Sequence, residues 1–236
     1  MRDLLGTVDV AAAYRTQQIN IDLALADGRV TVGRKIGLTS PAVQAQLGVD
    51  QPDFGILLDD MVVPDGGVVP AGRLLQPKVE AEVAFRLGAD LDGALESVDD
   101  VRAVVCGACA AIEIVDSRID GWDITIVDTV ADNASSGLFV VSETLVPLTD
   151  VEPVDVEMSM TSNGERASSG NGAACLGDPL IALLWVARTA RDAGSPLRAG
   201  ELVLSGALGP MVPVSPGDTI LAQLSGLGSV SISFES

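Results

Sequence analysis

The chain has 236 residues, 47% of them hydrophobic, and a formal net charge of −19. This suits one domain with a full core, and the acidity argues against nucleic-acid backbones and anionic membranes as partners. Histidine is absent, which excludes Ser-His-Asp and Cys-His catalysis and most zinc sites, leaving acid-base chemistry to carboxylates, lysine, tyrosine, cysteine or metal-bound water.

Residues 8–27 predict an amphipathic helix, from Val8 through Ala26, stopped at Gly28. Arg29–Leu38 alternates Val30, Val32 and Ile36 with other residues and predicts a strand carrying Lys35. Lys35 and Lys78 are the lysines of the chain. Ser40-Pro41 supplies the cap and first turn of a short helix ending at Gly48. Gln51-Pro52-Asp53-Phe54-Gly55 reads as a turn cluster before apolar Ile56-Leu57-Leu58. Asp65-Gly66-Gly67 then turns the chain into Val68-Val69. Residues 1–60 are thus expected to be a mainly helical lead-in, and 61–236 a β-rich core, within a single domain.

Gln76–Leu87 organises the rest. Val79, Ala81, Val83, Phe85 and Leu87 alternate with Glu80, Glu82, Ala84 and Arg86, the period-2 pattern of a half-buried strand. Glu80 and Glu82 therefore leave the same face about 6.5 Å apart. Like charges this close repel unless a cation, a proton or solvent relieves them. Hard divalent cations such as magnesium are held by such oxygen ligands; the plainer reading is a solvated strand face.

Ser97-x-x-Asp100 is a capping box expected to open a helix running to about Ala111. Cys106-Gly107-Ala108-Cys109 falls within it, either as a redox pair or, more commonly for such surroundings, as small buried residues. Three cysteines, with no signal-peptide pattern or membrane-length apolar run, imply a reducing cytoplasm and an unglycosylated Asn133-Ala134-Ser135 sequon. Ala111–Arg118 predicts a strand on which Glu113, flanked by isoleucines, faces away from their packing side. Residues 116–137 are polar enough for a long structured loop.

Phe139–Ser142 and Val154–Met160 predict strands, and Ser162-Asn163-Gly164-Glu165 a hairpin turn. Gly170-Asn171-Gly172 lacks the spacing of a phosphate loop. Asp178-Pro179 caps a helix running to about Asp192, with Gly194 beyond it. Leu202–Phe234 is strand and turn throughout. The sum is an α+β chain in which strands predominate.

The order of motifs resembles the fumarylacetoacetate hydrolase superfamily, in the branch of hydratases and decarboxylases acting on 2-hydroxydienoates and 2-oxoenoates. The resemblance lies in Gly33-Arg34-Lys35-Ile36-Gly37-Leu38-Thr39, Gly48–Gly55, Gln76–Glu82, Ile112–Arg118, Val130–Ser136, Ser205–Pro210 and Pro216-Gly217-Asp218. It implies mixed, rolled β-sheets with flanking helices around a divalent-metal pocket. Glu80, Glu82 and Glu113 are implied as ligands of Mg2+ or Mn2+. The same resemblance implies Lys35 and Asp53 as the proton-handling pair and Ser135 and Ser205 as substrate contacts.

Within the branch, Gln51–Gly55, Ile126–Asn133 and Gly206–Met211 are similar to the hydratase subtype. The expected activity is addition of water to 2-hydroxypenta-2,4-dienoate or a close homologue. The alternatives are 2-oxo-3-hexenedioate decarboxylase and a non-catalytic partner subunit. No lysine stands near Asp132-Asn133, where hydrolase members carry one, so carbon–carbon bond hydrolysis is not expected. Members generally begin with a further helical segment ahead of the position matching Met1. A homo-oligomer is also implied, as is association with the pathway's decarboxylase or aldolase.

Overall fold

The computed structural model describes residues 1–6, 9–40, 44 and 51–236. Two helices open the chain, α1 (Arg2–Leu5) and α2 (Val10–Ala26). Asp9 starts α2 by accepting the N–H of Ala12 at 2.8 Å. Strands β1 (Thr31–Gly37) and β2 (Asp53–Leu58) follow, then β3 (Gly67–Val69) and β4 (Lys78–Leu87). Helix α3 (Val98–Arg102) leads to β5 (Val105–Val115), α4 (Ile126–Ala131) and β6 (Ser136–Val141). The hairpin β7 (Glu157–Ser162) and β8 (Glu165–Asn171) precedes α5 (Pro179–Asp192). Four strands close the chain: β9 (Leu202–Ala207), β10 (Val212–Pro213), β11 (Thr219–Leu224) and β12 (Gly228–Phe234).

The strands form two sheets. One runs β2-β1-β9-β4-β5-β6, with β10 also pairing to β4; the other runs β3-β12-β11-β7-β8. Most pairs are antiparallel, but β1 with β9 and β12 with β3 are parallel. The architecture is thus α+β, with mixed sheets and few helices. One face of β4, formed by Val79, Ala81, Val83 and Phe85, is fully buried, as are Ile112 and Ile114 of β5. These join Met160, Ile220 and Ile232 of the second sheet and Leu180, Leu183 and Val186 of α5 in one apolar core. Burying such side chains is worth about 1.5–3 kcal/mol each, and it fixes which face of β4 carries the acids.

Several expectations hold. Asn163 and Gly164 make the β7–β8 turn with φ of 54° and 83°, the left-handed pair that a two-residue hairpin requires. Asp178 caps α5 through the N–H of Leu180 at 2.8 Å. Glu80 and Glu82 do share a face of β4 with the apolar residues on the other.

Others are corrected. Asp53-Phe54-Gly55 is not turn but the start of β2, because it pairs with Lys35-Ile36-Gly37 of β1. Thr31–Gly37 and Asp53–Leu58 therefore belong to the larger sheet rather than to a helical lead-in. The helix opened by Ser97 ends at Arg102, and Val105–Val115 is strand throughout. Ladder pairing with β4 from Lys78↔Val115 to Leu87↔Val105 outweighs the helix propensity of its alanines. Cys106 and Cys109, three apart on a strand, leave opposite faces, and only Cys106 is exposed. A redox pair is excluded by that geometry. The stretch 116–137 is not all loop: Thr125 and Asp128 form a capping box that starts α4. The helix expected between Ser40-Pro41 and Gly48 lies, Gln44 apart, outside the described residues.

Candidate active site

The strand pairing assembles the acids. Glu80 of β4 lies directly across from Glu113 of β5, and Glu82 is two residues along on the same face. Carboxylate oxygens of the three lie within 4.8 Å of one another. Glu82 and Glu113 are buried and Glu80 is half-buried. Glu82 Oε2 accepts the N–H of Gly206 at 2.7 Å. Glu82 Oε1 and both Glu113 oxygens have no hydrogen-bond partner among the described residues.

Burial, reinforced by the charge of Glu113, pushes the Glu80 carboxyl up to about 7 and that of Glu82 well above its usual range. Burial also raises Glu113, against the pull of Lys35. Unpartnered buried acceptors of one sign are costly, at about 1–3 kcal/mol each or more when charged. A hard divalent cation would engage all of them at once, and an all-oxygen donor set suits magnesium or manganese rather than softer metals. The residues present fit such an ion.

Lys35 Nζ lies 3.2 Å from Glu113 Oε1, an ion pair without the alignment of a hydrogen bond. Strands β9 and β4 stand between β1 and β5, which in a flat sheet would separate these backbones by about 14 Å. Sheet curling is what closes that distance. Burial works against the Lys35 charge, but Glu113, Asp53, Glu80 and Glu82 together outweigh it and hold the ammonium protonated.

Asp53 opens β2, is buried, and leaves Oδ1 unpartnered. Burial raises its carboxyl, opposed chiefly by Lys35. Gly37 is what lets these two converge: a Cβ there would lie 2.2 Å from Asp53 Oδ1 and 3.3 Å from Lys35 Nζ. Helix α2 fixes the next residue, since Tyr14 stacks on Phe54 at 4.8 Å between ring centroids and Gln17 Nε2 donates to the Phe54 carbonyl at 3.0 Å.

Ser135 comes from an unusual turn. Asn133, Ala134 and Ser135 all have φ between 52° and 56°, the left-handed region that costs a residue with a Cβ about 1–2 kcal/mol. Asn133 holds the turn against β2, accepting the Ile56 N–H at 2.8 Å and donating Nδ2 to the Ile56 carbonyl at 2.9 Å. Arg118 Nε braces it from outside through Asp132 Oδ1 at 2.6 Å. Ser135 Oγ is then 3.3 Å from Thr129 Oγ1 of α4.

Lys35, Asp53, Lys78, Glu80, Thr129 and Ser135 line one cavity of about 400 Å³, with Trp122, Ile124 and Met211 among its apolar walls. Glu82 and Glu113 are buried behind that wall, their carboxylate oxygens within 4.8 Å of that of Glu80. Ser205 is not brought to the cavity wall: it lies within β9, fully buried, its hydroxyl 3.3 Å from the Gly206 carbonyl. Strand β9 meets the site through Gly206 instead, whose φ of 107° and the 2.4 Å that would separate an added Cβ from Thr39 Cγ2 leave no room for a side chain. Sequence reasoning also missed Lys78, Thr129, Trp122 and Asn133. Of these only Lys78 carries a legible signal, standing two residues before Glu80 and hence on its face.

Residues 32–234 match the fumarylacetoacetate (FAA) hydrolase C-terminal family. A 2-keto-4-pentenoate hydratase 1 of Dechloromonas aromatica is 55% identical over 234 residues, covering 99% of this chain and 89% of the relative. A relative described as TodF product hydratase, from Pseudomonas putida, is 54% identical, covering 99% and 87%. Among solved structures, a 4-oxalocrotonate decarboxylase from Pseudomonas putida G7, complexed with magnesium and adipate, superposes with a TM-score of 0.95 at 37% identity, covering 99% of this chain and 89% of that one. On sequence, fold and family match together, the chain belongs to the fumarylacetoacetate hydrolase family.

Proposed function

We propose that the protein is a divalent-metal-dependent hydro-lyase that adds water to 2-hydroxypenta-2,4-dienoate, the enol of 2-oxopent-4-enoate, to give 4-hydroxy-2-oxopentanoate. The observation that carries this reading is the carboxylate cluster of Glu80, Glu82 and Glu113 at a cavity lined by Lys35, Asp53 and Glu80. Greater identity to the hydratases than to the decarboxylase favours hydration within the family.

A divalent cation, magnesium or manganese, held by the three glutamates would supply Lewis-acid stabilisation of negative charge on the substrate's oxygens. Lys35, kept cationic among acids, orients the substrate and stabilises charge through Nζ. Asp53 is the group suited to exchanging a proton, because it lines the cavity with Oδ1 unpartnered among the described residues and burial raises its carboxyl against the pull of Lys35. The dienol loses its 2-hydroxyl proton and gains one at carbon 5, leaving a conjugated enone. Water then adds across that alkene, its oxygen bonding to carbon 4 and its proton going to carbon 3. Ser135 Oγ, beside Thr129, is placed to hold substrate or water by hydrogen bonding.

The reading includes one catalytic domain over 1–236, supported by the core shared between the sheets, and a cytoplasmic homo-oligomer, supported by exposed Ile19 and Leu23 on α2. The test is turnover of enzymatically generated 2-hydroxypenta-2,4-dienoate by chelator-stripped and magnesium-restored protein. Loss of the dienol absorbance with 4-hydroxy-2-oxopentanoate formed only after restoration is the expected result. Carbon dioxide release from 2-oxo-3-hexenedioate without dienoate turnover would make it a decarboxylase; inactivity on both would make it a non-catalytic partner.

A further inference from the structure

A substrate of the proposed kind is an anion, yet it must enter a protein of net charge −19 and a cavity lined by Asp53 and Glu80, with Glu82 and Glu113 clustered behind Glu80. Two lysines line that cavity. Lys35 is buried and paired with Glu113. Lys78 is half-buried, and among the described residues no carboxylate lies within ion-pairing distance of it and no acceptor takes its ammonium protons. It shares the β4 face of Glu80 and Glu82, and its charge reaches Glu80 without forming an ion pair with either.

The ammonium is nevertheless held in place. Lys78 Nζ sits 4.1 Å from the centroid of the Trp122 ring, a cation–π contact that keeps the charge while limiting the side chain's freedom. The ring is itself tethered, its Nε1–H donating to the Gln76 carbonyl at 2.9 Å. Gln76 is clamped in turn, its N–H donating to Asp116 Oδ1 at 2.7 Å and Nε2 to the Ser117 carbonyl at 2.8 Å. A half-buried, ordered cation with no ion-pair partner among the described residues loses little entropy when an anion arrives.

We infer that Lys78, displayed on Trp122, is the anion-recognition residue of this cavity and takes the carboxylate of an incoming 2-oxo or 2-hydroxydienoic acid. The inference rests on the proposed function for the identity of that anion. Lys78 governs affinity and capture of the substrate from an acidic surface, whereas Lys35 and Asp53 act on the reacting carbons.

The probe is 2-oxopentanoate, which has the carboxylate and 2-oxygen but no alkene to hydrate. Its binding to magnesium-loaded wild-type, Lys78→Met and Lys78→Arg proteins is measured by calorimetry at low and high salt. Lys78→Met is expected to weaken binding roughly tenfold, the worth of one charged hydrogen bond, and to flatten the salt dependence. Lys78→Arg is expected to stay within about threefold of wild type, since a guanidinium keeps both the charge and the stacking. With dienoate, KM of Lys78→Met rises in parallel while kcat changes less than about threefold. Equal affinity of wild type and Lys78→Met, binding by neither, or a fall in kcat with KM unmoved overturns the assignment. A Lys78 that merely props Trp122 would lower the melting temperature and leave affinity alone, which also overturns it. If wild type fails to hydrate the dienoate yet binds 2-oxopentanoate through Lys78, the hydratase reading falls and this one stands.

Discussion

Glu82 has one oxygen satisfied by Gly206 and one with no partner in a fully buried position. Glu82→Gln keeps the shape, can still accept from Gly206, and removes one charge from a crowded cluster. Melting curves with and without magnesium should show the metal-free variant at least as stable as wild type, because like-charge repulsion is relieved. The metal-induced rise in melting temperature should vanish, with affinity reduced by more than the roughly 10- to 100-fold typical of a lost outer partner. A preserved rise would remove Glu82 from the ligand set. Gly37 offers a complementary test. Its missing Cβ is the space occupied by Asp53 Oδ1, 2.2 Å away, so Gly37→Ala must displace that carboxylate. The expected outcome is a folded protein, destabilised by about 1–3 kcal/mol, whose kcat falls by about 100-fold or more as proton transfer is misaligned. Unchanged kcat would separate Asp53 from the chemistry.

At the scale of elements, the left-handed turn 133–135 joins α4 to β6 and aims Ser135 at the cavity. Asparagine tolerates that backbone better than other non-glycine residues, and Asn133 also satisfies both main-chain groups of Ile56. Asn133→Ala therefore loses a favourable conformer and leaves two buried partners unpaired. A loss of about 2–4 kcal/mol in denaturant unfolding is expected, with KM raised because Ser135 is no longer held. Stability within about 0.5 kcal/mol of wild type would show that the turn is held by Arg118 and Asp132 instead. The β4–β5 ladder plays the same part for the metal-type cluster, since its register alone sets Glu80 opposite Glu113. A slip of one residue would send one acid to the apolar core.

For the molecule as a whole, stability is linked to the state of the carboxylates. Glu80 is pushed up to about 7, and Glu82 and Glu113 are raised, chiefly by burial. Without metal the folded state thus binds protons more tightly than the unfolded chain. Their stabilising contribution is complete below the ordinary carboxyl range and is lost as pH rises through about 7. A divalent cation needs the same groups deprotonated, so its stabilisation grows over that interval. Melting temperatures in chelator should fall from about pH 5 to pH 8, and the gap between chelator and magnesium should widen by several degrees. A gap independent of pH would mean that the metal does not compete with protons at these acids.

Much of the site was readable from residue order. The alternation Val79-Glu80-Ala81-Glu82-Val83 determines that two acids leave one strand face, and Ile112-Glu113-Ile114 determines that a third opposes its neighbours, because side-chain direction in a strand follows position alone. The absence of histidine narrowed the chemistry for a similarly local reason. The β7–β8 hairpin and the Asp178 cap were legible through short-range turn and capping rules. What the local pattern could not supply was pairing. Val105–Val115 carries enough alanine to read as helix until β4 offers it a full ladder, and Asp53-Phe54-Gly55 reads as turn until β1 does the same. The family resemblance implied Ser205 as a contact, yet in strand β9 the backbone N–H of Gly206, not that hydroxyl, makes the approach. Convergence of Lys35 with Glu113, from strands with two others between them in the sheet, depends on curling, which arises from packing both sheets around one core and leaves no trace in spacing. The tertiary structure likewise decided that Lys78 rests on Trp122, since 44 residues separate them in the chain and only the folded loop brings ring to ammonium.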